Sequence, residues 1–162
     1  MKVLVATDKP FAPVAVTQIR EVTEKGGHTL ALLEKYKTPQ ELHAAAADAD
    51  AMIVRSDIVD AALIAAAPKL KIVVRAGAGY DNLDLQACTA RNIVAMNTPG
   101  QNSNAVAELA FGMMIYAARG GFDGKTGSEL MGKSLGLHAF GAVGKCMARI
   151  AAGFGMKVYA YD

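Results

Sequence analysis

The sequence predicts an α/β fold whose first part is a doubly wound parallel sheet. Short runs rich in Val, Ile and Leu alternate with alanine-rich runs of helical length, and the strand runs are almost continuously apolar. Alternating strands and helices are typical of parallel sheets, and strands that helices cover on both faces are apolar throughout. Hydrophobic residues make up 52% of the 162-residue chain and charged residues 20%, which is the composition of a globular protein.

The first region, residues 1–98, is predicted to contain five strands that alternate with four helices. The strands are expected at 3–5, 28–33, 51–55, 71–75 and 93–96. The helices are expected at 13–25, 39–47, 60–67 and 84–91. A capping box from Thr38 to Glu41 opens the second helix, and Pro68 ends the third. These elements fit a flavodoxin-like domain with the strand order 2-1-3-4-5.

The second region, residues 99–162, is predicted to begin another domain. Its elements are a long hinge helix at 103–119, a glycine-rich linker at 119–127, strands at 133–138 and 157–161, and a helix at 143–153. A complete Rossmann dinucleotide-binding domain has about six strands. We therefore expect only the first βαβ unit of such a domain here, in a chain that is a fragment of a longer protein. The alternative is that the natural polypeptide ends at residue 162.

The clearest chemical motif is the turn Ala139-Phe140-Gly141-Ala142-Val143-Gly144, which follows a predicted strand and opens a predicted helix. It has the spacing of the dinucleotide fingerprint G-x-G-x-x-G, with Ala139 at the first glycine. Gly141 would let the backbone approach a pyrophosphate, and Gly144 would let the helix pack close to the strand. The helix N-terminus would offer its free amides. An ordinary strand-to-helix turn is the alternative.

Asp162 lies at the end of the next predicted strand. An acid at that position can bind the adenosine ribose hydroxyls of a dinucleotide. Because a carboxylate there would repel a 2′-phosphate, the sequence predicts NAD rather than NADP. The alternative is an acid that ends a strand and has no role in binding.

Two arginines close neighbouring strands of the first predicted sheet. Arg55 ends the third strand and Arg75 the fourth, so their guanidinium groups are expected at the carboxyl edge, where such sheets bind ligands. Beside them lie Ser56 and the loop 76–79, whose small residues would let backbone amides face an anion. This arrangement predicts a substrate with two anionic groups, such as a phosphate and a carboxylate. The alternative is that the arginines are paired with acids, namely Asp57 and Asp81.

Composition argues against several other classes. Seventeen basic and fifteen acidic residues give a net charge of +2, which predicts no nucleic-acid partner. No run of 18 uncharged apolar residues exists, so we expect no membrane helix, and the first apolar run is too short for a signal peptide. Cys88 and Cys146 are too few for a disulfide framework or a zinc site, which favours a reducing cytoplasm and no metal.

Four segments resemble the D-isomer-specific 2-hydroxyacid dehydrogenases, and their phosphoglycerate members in particular. Residues 73–82, V-V-R-A-G-A-G-Y-D-N, resemble the R-A-G-x-G-x-D-N loop of that family, and residues 53–56 resemble its first substrate-binding segment. Residues 97–108 resemble N-T-P-x-x-N-x-x-A-V-A-E, and residues 132–162 resemble the start of the nucleotide-binding domain. The resemblance covers essentially the whole chain.

The resemblance implies the oxidation of 3-phosphoglycerate to 3-phosphohydroxypyruvate with NAD, in serine biosynthesis. By matching positions, the substrate would be held by Arg55, Ser56, Arg75, Ala76 and Gly77. The NAD would be contacted by Ala78, Asn102, Gly141, Ala142, Val143, Gly144 and Asp162. The family's catalytic arginine, glutamate and histidine would lie beyond residue 162. No catalytic residue is therefore expected in this chain, and the chain alone is expected to be inactive.

The match to the family pattern has two departures. Ala139 replaces a glycine, and Ala142 replaces a larger residue that is often basic. Both changes could weaken the contacts to a pyrophosphate without removing the backbone amides. Asn102 is also open to a second interpretation, in which it caps the long helix instead of contacting NAD.

Other functions stay open from the sequence. A corepressor-like protein of the same superfamily would sense NAD as a ligand, and another D-2-hydroxyacid dehydrogenase would act on a different substrate. A receiver-type signalling domain could use Asp8 and Asp57 as a phosphoacceptor pocket. Against that interpretation, Asp8 has no second acid beside it and no lysine ends the fifth strand.

The helix at 103–119 predicts a homodimer. It carries an apolar stripe that is wider than one sheet face requires, formed by Val106, Leu109, Ala110, Met113, Met114 and Ala117. The resembling family dimerises through its nucleotide-binding domain, which points to the same surface. The alternative is that the helix only bridges the two domains of one chain.

Overall fold

The computed structural model describes residues 1–162, which divide into two compact units, residues 1–99 (unit 1) and residues 100–162 (unit 2). Unit 1 alternates strands and helices as expected. Its strands are β1 (Lys2–Thr7), β2 (Thr29–Glu34), β3 (Ala51–Val54), β4 (Ile72–Arg75) and β5 (Val94–Met96). Its helices are α1 (Pro13–Lys25), α2 (Pro39–Ala46), α3 (Ala61–Ala66) and α4 (Leu85–Ala90).

The five strands of unit 1 form one parallel sheet in the order β2-β1-β3-β4-β5. This order confirms the predicted α/β fold class with a doubly wound sheet. The register places Val54, the last residue of β3, level with Arg75, the last residue of β4. Arg55 therefore follows directly beyond the end of β3 instead of closing it, and both arginines lie at the carboxyl edge.

Side-chain caps fix where three helices of unit 1 begin. Thr38 accepts a hydrogen bond from the Glu41 amide at the start of α2, as the capping box predicts. Asp60 and Asp84 cap α3 and α4 by accepting from the amides of Leu63 and Ala87, each at 2.9 Å. Each cap satisfies an amide that a helix start otherwise leaves without a partner.

The core of unit 1 lies between its sheet and helices. Sixteen buried residues form one cluster, and the largest side chains in it that are fully buried include Leu4, Met52, Val54, Leu63 and Ile64. These residues come from β1, β3 and α3. The apolar runs of the strands and of the helices therefore both supply side chains to the core. Burying each such side chain stabilises the fold by about 1.5–3 kcal/mol.

Unit 2 is smaller and has a two-stranded sheet. Its elements are α5 (Ser103–Ala118), a short 3-10 helix (Gly120–Phe122), β6 (Ser134–His138), α6 (Ala142–Gly153) and β7 (Lys157–Tyr161). Strands β6 and β7 pair in parallel, as expected for a βαβ unit. The 3-10 helix lies where the sequence predicts only a linker.

The core of unit 2 is formed where α5 packs against α6. Only four residues are buried in its cluster, Ala107, Phe111, Met147 and Ala151. The rings of Phe111 and Phe154 stack with their centroids 5.2 Å apart. No helix of the structure combines the length and the apolar character that crossing a bilayer requires.

Helix α5 divides the predicted apolar stripe between two faces. Ala110 and Met114 pack against the core of unit 2, so these two residues are not part of an open surface. The outward face instead carries Val106, Leu109, Met113 and Tyr116, and Leu109 and Met113 are 66% and 64% exposed. The predicted stripe is wider than the exposed face. An apolar arc of about 100° on a helix normally packs against the core, and Ala110 and Met114 belong to that arc.

Candidate functional site

The two arginines meet at the carboxyl edge of the sheet of unit 1. The Nε of Arg75 donates a hydrogen bond to the backbone carbonyl of Arg55 at 3.0 Å. The guanidinium group of Arg75 then passes over Gly77, where a Cβ would collide with it. No other group of the protein accepts from the two terminal nitrogens of Arg75, so they are free to bind an anion.

The side chain of Arg55 is held more firmly. Its Nη1 donates to the carbonyls of Lys9 and Pro10, each at 3.0 Å, and its guanidinium carbon lies 5.2 Å from the centroid of the Phe11 ring. The ion pairs of Arg55 and Arg75 with Asp57 and Asp81, left open by the sequence, do not form in the structure. Arg55 therefore anchors the loop after β1, and its Nη2 makes no hydrogen bond within the protein.

Asp57 lies beside the arginines and is only 4% exposed. Its carboxylate accepts hydrogen bonds from the amide of Asp8 at 2.8 Å, the hydroxyl of Tyr36 at 2.7 Å and the amide of Arg55 at 3.1 Å. Burial and the hydrogen bond to Asp57 raise the pKa of Tyr36 above its ordinary value, so Tyr36 keeps its proton and donates it. A buried, fully bonded Asp57 is not placed to accept a phosphoryl group, unlike the aspartate of a receiver domain.

The loop 76–79 offers fewer free amides than the sequence predicts. The Ala76 amide already donates to the carbonyl of Val54, and the Gly77 amide to the carbonyl of Arg75, each at 2.8 Å. The prediction of an open nest along the whole loop is therefore wrong for these two residues, because the turn uses their N–H groups. The amides of Ala78 and Gly79 have no acceptor within the protein.

Other contacts hold this loop in place. Asn97 donates from its side chain to the carbonyl of Ala78 at 2.7 Å, and the Thr98 amide donates to the carbonyl of Gly77 at 2.9 Å. Ser56 is exposed beside Arg55 and makes no hydrogen bond within the protein. Unit 1 thus presents the terminal nitrogens of Arg75, the Nη2 of Arg55, two backbone amides and a hydroxyl that are free to bind an anionic ligand.

The fingerprint turn of unit 2 has the geometry that its glycines predict. A Cβ at Gly144 would lie 2.5 Å from the carbonyl oxygen of Ala139, so helix and turn pack as closely as only glycine allows. The space around Gly141 is open. Gly141 is the N-cap residue of α6 and offers no side-chain cap, and the first-turn amides of Ala142, Val143 and Gly144 have no acceptor. These amides can bind an anion at the N-terminus of the helix.

Asp162 is joined to this turn. Its Oδ2 accepts from the amide of Phe140 at 3.1 Å, and the carboxylate is otherwise exposed. Ala139 stands in the turn at φ +94°, in the region that favours glycine. An L-residue there is strained by about 1–2 kcal/mol. Asn102 occupies the N-cap position before α5, but its side chain makes no capping hydrogen bond.

Comparison with known proteins places the chain in a family. Residues 4–158 match the model of the D-isomer specific 2-hydroxyacid dehydrogenase catalytic domain. The chain belongs to this family. Its fold and its fingerprint turn are therefore those of a family member, as the sequence resemblance implies.

Three relatives illustrate the match between this family and the chain. A 3-phosphoglycerate dehydrogenase of Entamoeba histolytica, solved with bound NAD+, has a TM-score of 0.96 and 53% identity over 100% of this chain and 54% of its own. The hydroxypyruvate reductase of Thermotoga maritima is 43% identical over 71% of this chain and 42% of its own. The D-3-phosphoglycerate dehydrogenase of Homo sapiens is 41% identical over 88% of this chain and 29% of its own.

The chain thus spans about half or less of the length of these family members. Sequence reasoning gave no binding-site role to three residues that hold this sheet edge together, namely Tyr36, Asn82 and Asn97. Asn82 and Asn97 lie inside the segments that resemble the dehydrogenases. Their place in these segments was the one sequence feature that could have indicated a role at the site. Nothing in the sequence around Tyr36 marks it, because its partner Asp57 is 21 residues away.

Proposed function

We propose that the full-length protein is an NAD-dependent dehydrogenase that oxidises 3-phosphoglycerate to 3-phosphohydroxypyruvate in serine biosynthesis. The observation that carries the proposal is the free guanidinium group of Arg75, which lies against Gly77 in the loop that also holds the unbonded amides of Ala78 and Gly79. A guanidinium fork and backbone amides suit a phosphate or a carboxylate. The relatives named phosphoglycerate dehydrogenase support this choice of substrate.

Unit 1 would bind the substrate, and unit 2 would begin the domain that binds NAD. Arg75 would bind one anionic group of the substrate through its two terminal nitrogens, while its Nε remains on the Arg55 carbonyl. The Nη2 of Arg55, the hydroxyl of Ser56 and the loop at Ala76 and Gly77 would contact the substrate at the same sheet edge. Holding both anionic groups of a small substrate fixes its orientation, which is what a selective hydride transfer requires.

The residues of unit 2 fit NAD. The open space at Gly141 and the free amides at the start of α6 suit the pyrophosphate, and the exposed carboxylate of Asp162 suits the ribose hydroxyls. The NAD-bound Entamoeba histolytica neighbour supports this assignment. When bound, NAD would supply the acceptor for the hydride, and the chain's own residues would hold its phosphates and ribose. We place Ala78 and Asn102 among the cofactor contacts as well.

The outward face of α5 would form a homodimer interface. It exposes Val106, Leu109, Met113 and Tyr116 in one row, which is the pattern of a helix that packs against a partner. The free thiols of Cys88 and Cys146 are in keeping with a cytoplasmic location. Sedimentation of the full-length protein as a monomer alone would contradict the dimer.

A comparison of substrates tests the proposed activity. The full-length protein should reduce 3-phosphohydroxypyruvate with NADH more efficiently than hydroxypyruvate, which differs only by the phosphate. We expect kcat/KM to differ by at least about tenfold, because a charge-assisted contact contributes roughly 1.5–3 kcal/mol. Hydroxypyruvate reduction is the second candidate function, on the strength of the Thermotoga maritima relative. Equal or better use of hydroxypyruvate would favour it, and binding of NAD without turnover would favour a sensor.

A further inference from the structure

Asp57 is a buried carboxylate that has no cation as its partner. It is surrounded by three donors from three different strand ends: the amide of Asp8 after β1, the hydroxyl of Tyr36 after β2, and the amide of Arg55 after β3. A carboxylate is costly to bury unless hydrogen bonds satisfy its oxygens. Asp57 therefore stays buried only while these three strand ends keep their present arrangement.

One of these contacts fixes the backbone that orients Arg75. Asp57 accepts from the N–H of Arg55, and the side-chain amide of Asn82 donates to the carbonyls of Arg55 and Asp57 at 3.3 and 2.7 Å. The Arg55 carbonyl is also the acceptor for the Nε of Arg75. The backbone of Arg55 is thus held on both sides of its Cα, through its N–H and through its C=O. Any rotation of that residue would move the group on which the Arg75 guanidinium rests.

A second contact fixes the group that holds the other arginine. Asp8, whose amide donates to Asp57, is the first residue of the loop after β1. The next two residues of that loop, Lys9 and Pro10, supply the carbonyls that accept from Arg55 Nη1. The positions of both guanidinium groups therefore depend on the same carboxylate, although Asp57 contacts neither of them.

We propose that Asp57, supported by Tyr36, is a positioning residue that aligns Arg55 and Arg75 for the anionic groups of the substrate. This inference rests on the proposed function. Hydrogen bonds from a guanidinium group weaken steeply as their angles depart from linearity. Loss of the Asp57 carboxylate should therefore weaken substrate binding, while NAD, which unit 2 would bind, should be held as before.

Kinetics of the full-length protein test the proposal. The variants are Asp57→Ala, Asp57→Asn and Tyr36→Phe, with Arg75→Ala as the reference for loss of the anion site. We expect the KM for 3-phosphoglycerate to rise at least about tenfold in Asp57→Ala, less in Asp57→Asn, which keeps one acceptor oxygen, and least in Tyr36→Phe. The KM for NAD should stay within about twofold in all three, because Asp57 and Tyr36 contact neither the fingerprint turn nor Ala78.

Asp60→Ala is the matched control. Asp60 lies three residues further along the same segment and caps α3 by accepting from the Leu63 amide, without contacting either arginine or its backbone. Removing this cap should lower the Tm of the protein without changing the KM for 3-phosphoglycerate. Asp60→Ala thus separates a loss of stability from a loss of alignment, provided that all variants are assayed well below their Tm.

Each outcome decides one part of the account. An unchanged KM for 3-phosphoglycerate in Asp57→Ala, together with a raised KM in Arg75→Ala, would overturn the positioning role and leave the proposed function intact. An unchanged KM in Arg75→Ala would instead overturn the proposed anion site. If Asp57→Ala does not fold, an unchanged KM in both Asp57→Asn and Tyr36→Phe would overturn the positioning role.

Discussion

At the carboxyl edge of unit 1, most polar groups are already bonded to another part of the protein. Asp57 joins three strand ends, and Asn82 and Asn97 hold the backbone around the arginines. In the fingerprint turn of unit 2, the first-turn amides of α6 have no acceptor, and Ala139 is held at a strained φ. The comparison indicates that the proposed substrate site is organised before a ligand arrives. The first-turn amides of the fingerprint turn stay without acceptors, so the proposed cofactor would have to supply them.

The two units also differ in how much structure supports their sites. The sheet of unit 1 has five strands over a core of sixteen buried residues, whereas unit 2 has two strands over a core of four. Both strands of the smaller sheet are edge strands. Two-stranded sheets are marginally stable in water unless other elements cover them. Stability should therefore be concentrated in unit 1 when the 162-residue chain is studied by itself.

The largest expected effect is a difference in hydrogen exchange between the units of the 162-residue chain. Amides of β1 and β3 should exchange slowly, because they open only when the core of unit 1 unfolds. Amides of β6 and β7 should exchange much faster than those of β1 and β3, since their two-stranded sheet packs against a core of only four buried residues. Mass spectrometry of exchanging peptides measures both in one sample. Equal protection in the two sheets would contradict the comparison.

A smaller effect is expected at Asp162 in the full-length protein. Asp162→Asn removes the charge but keeps an oxygen that can accept from the Phe140 amide. The preference for NAD over NADP should fall by at least about tenfold, because the repulsion between the carboxylate and the 2′-phosphate is lost. Asp123→Asn is the control, since Asp123 is an acid of the same unit that lies beside Lys125 instead. The same ratio of kcat/KM values for NAD and NADP in Asp162→Asn would mean that another residue sets the preference.

The smallest effect concerns the strained alanine. Ala139→Gly should stabilise the full-length protein by about 0.5–1 kcal/mol, because glycine adopts the positive φ without the steric cost of a Cβ. Ala148→Gly, in the middle of α6, should destabilise it by a similar amount, since glycine disfavours helix. Thermal unfolding measures the change in stability of both variants, which we expect to be a gain in Ala139→Gly and a loss in Ala148→Gly. A loss of stability in Ala139→Gly would show that the turn is not strained at this residue.

Most of the fold could be predicted from the sequence, because strand and helix positions follow from local patterns. The strands of unit 1 begin and end within two residues of their expected positions, and the sheet order is the predicted one. The network around Asp57 could not be predicted in this way. Its hydrogen bonds connect residues 21 and 49 positions apart, and no local pattern specifies such pairs.

Which amides of the loop 76–79 are free also could not be predicted from the local sequence. Small residues make a nest possible, but whether each N–H is used depends on the carbonyls that the fold brings near it. The carbonyl of Val54, in the neighbouring strand, accepts from the Ala76 amide, and the carbonyl of Arg75 accepts from the Gly77 amide. Only two of the four amides of the loop are therefore left without an acceptor. The same limit applies to α5, where only the packed structure separates Ala110 and Met114 from the outward row.

The affinity of the full-length protein for 3-phosphoglycerate, measured by calorimetric titration, tests the central claim most directly. Arg75 presents the free guanidinium group of the site, whereas Arg20 is an exposed arginine of α1 that lies beside Glu24. Arg75→Ala should weaken binding by at least about tenfold, because it removes a charge-assisted contact. Arg20→Ala should leave the affinity unchanged. Equal affinity in the unaltered protein and in Arg75→Ala would contradict the assignment of this sheet edge as the substrate site.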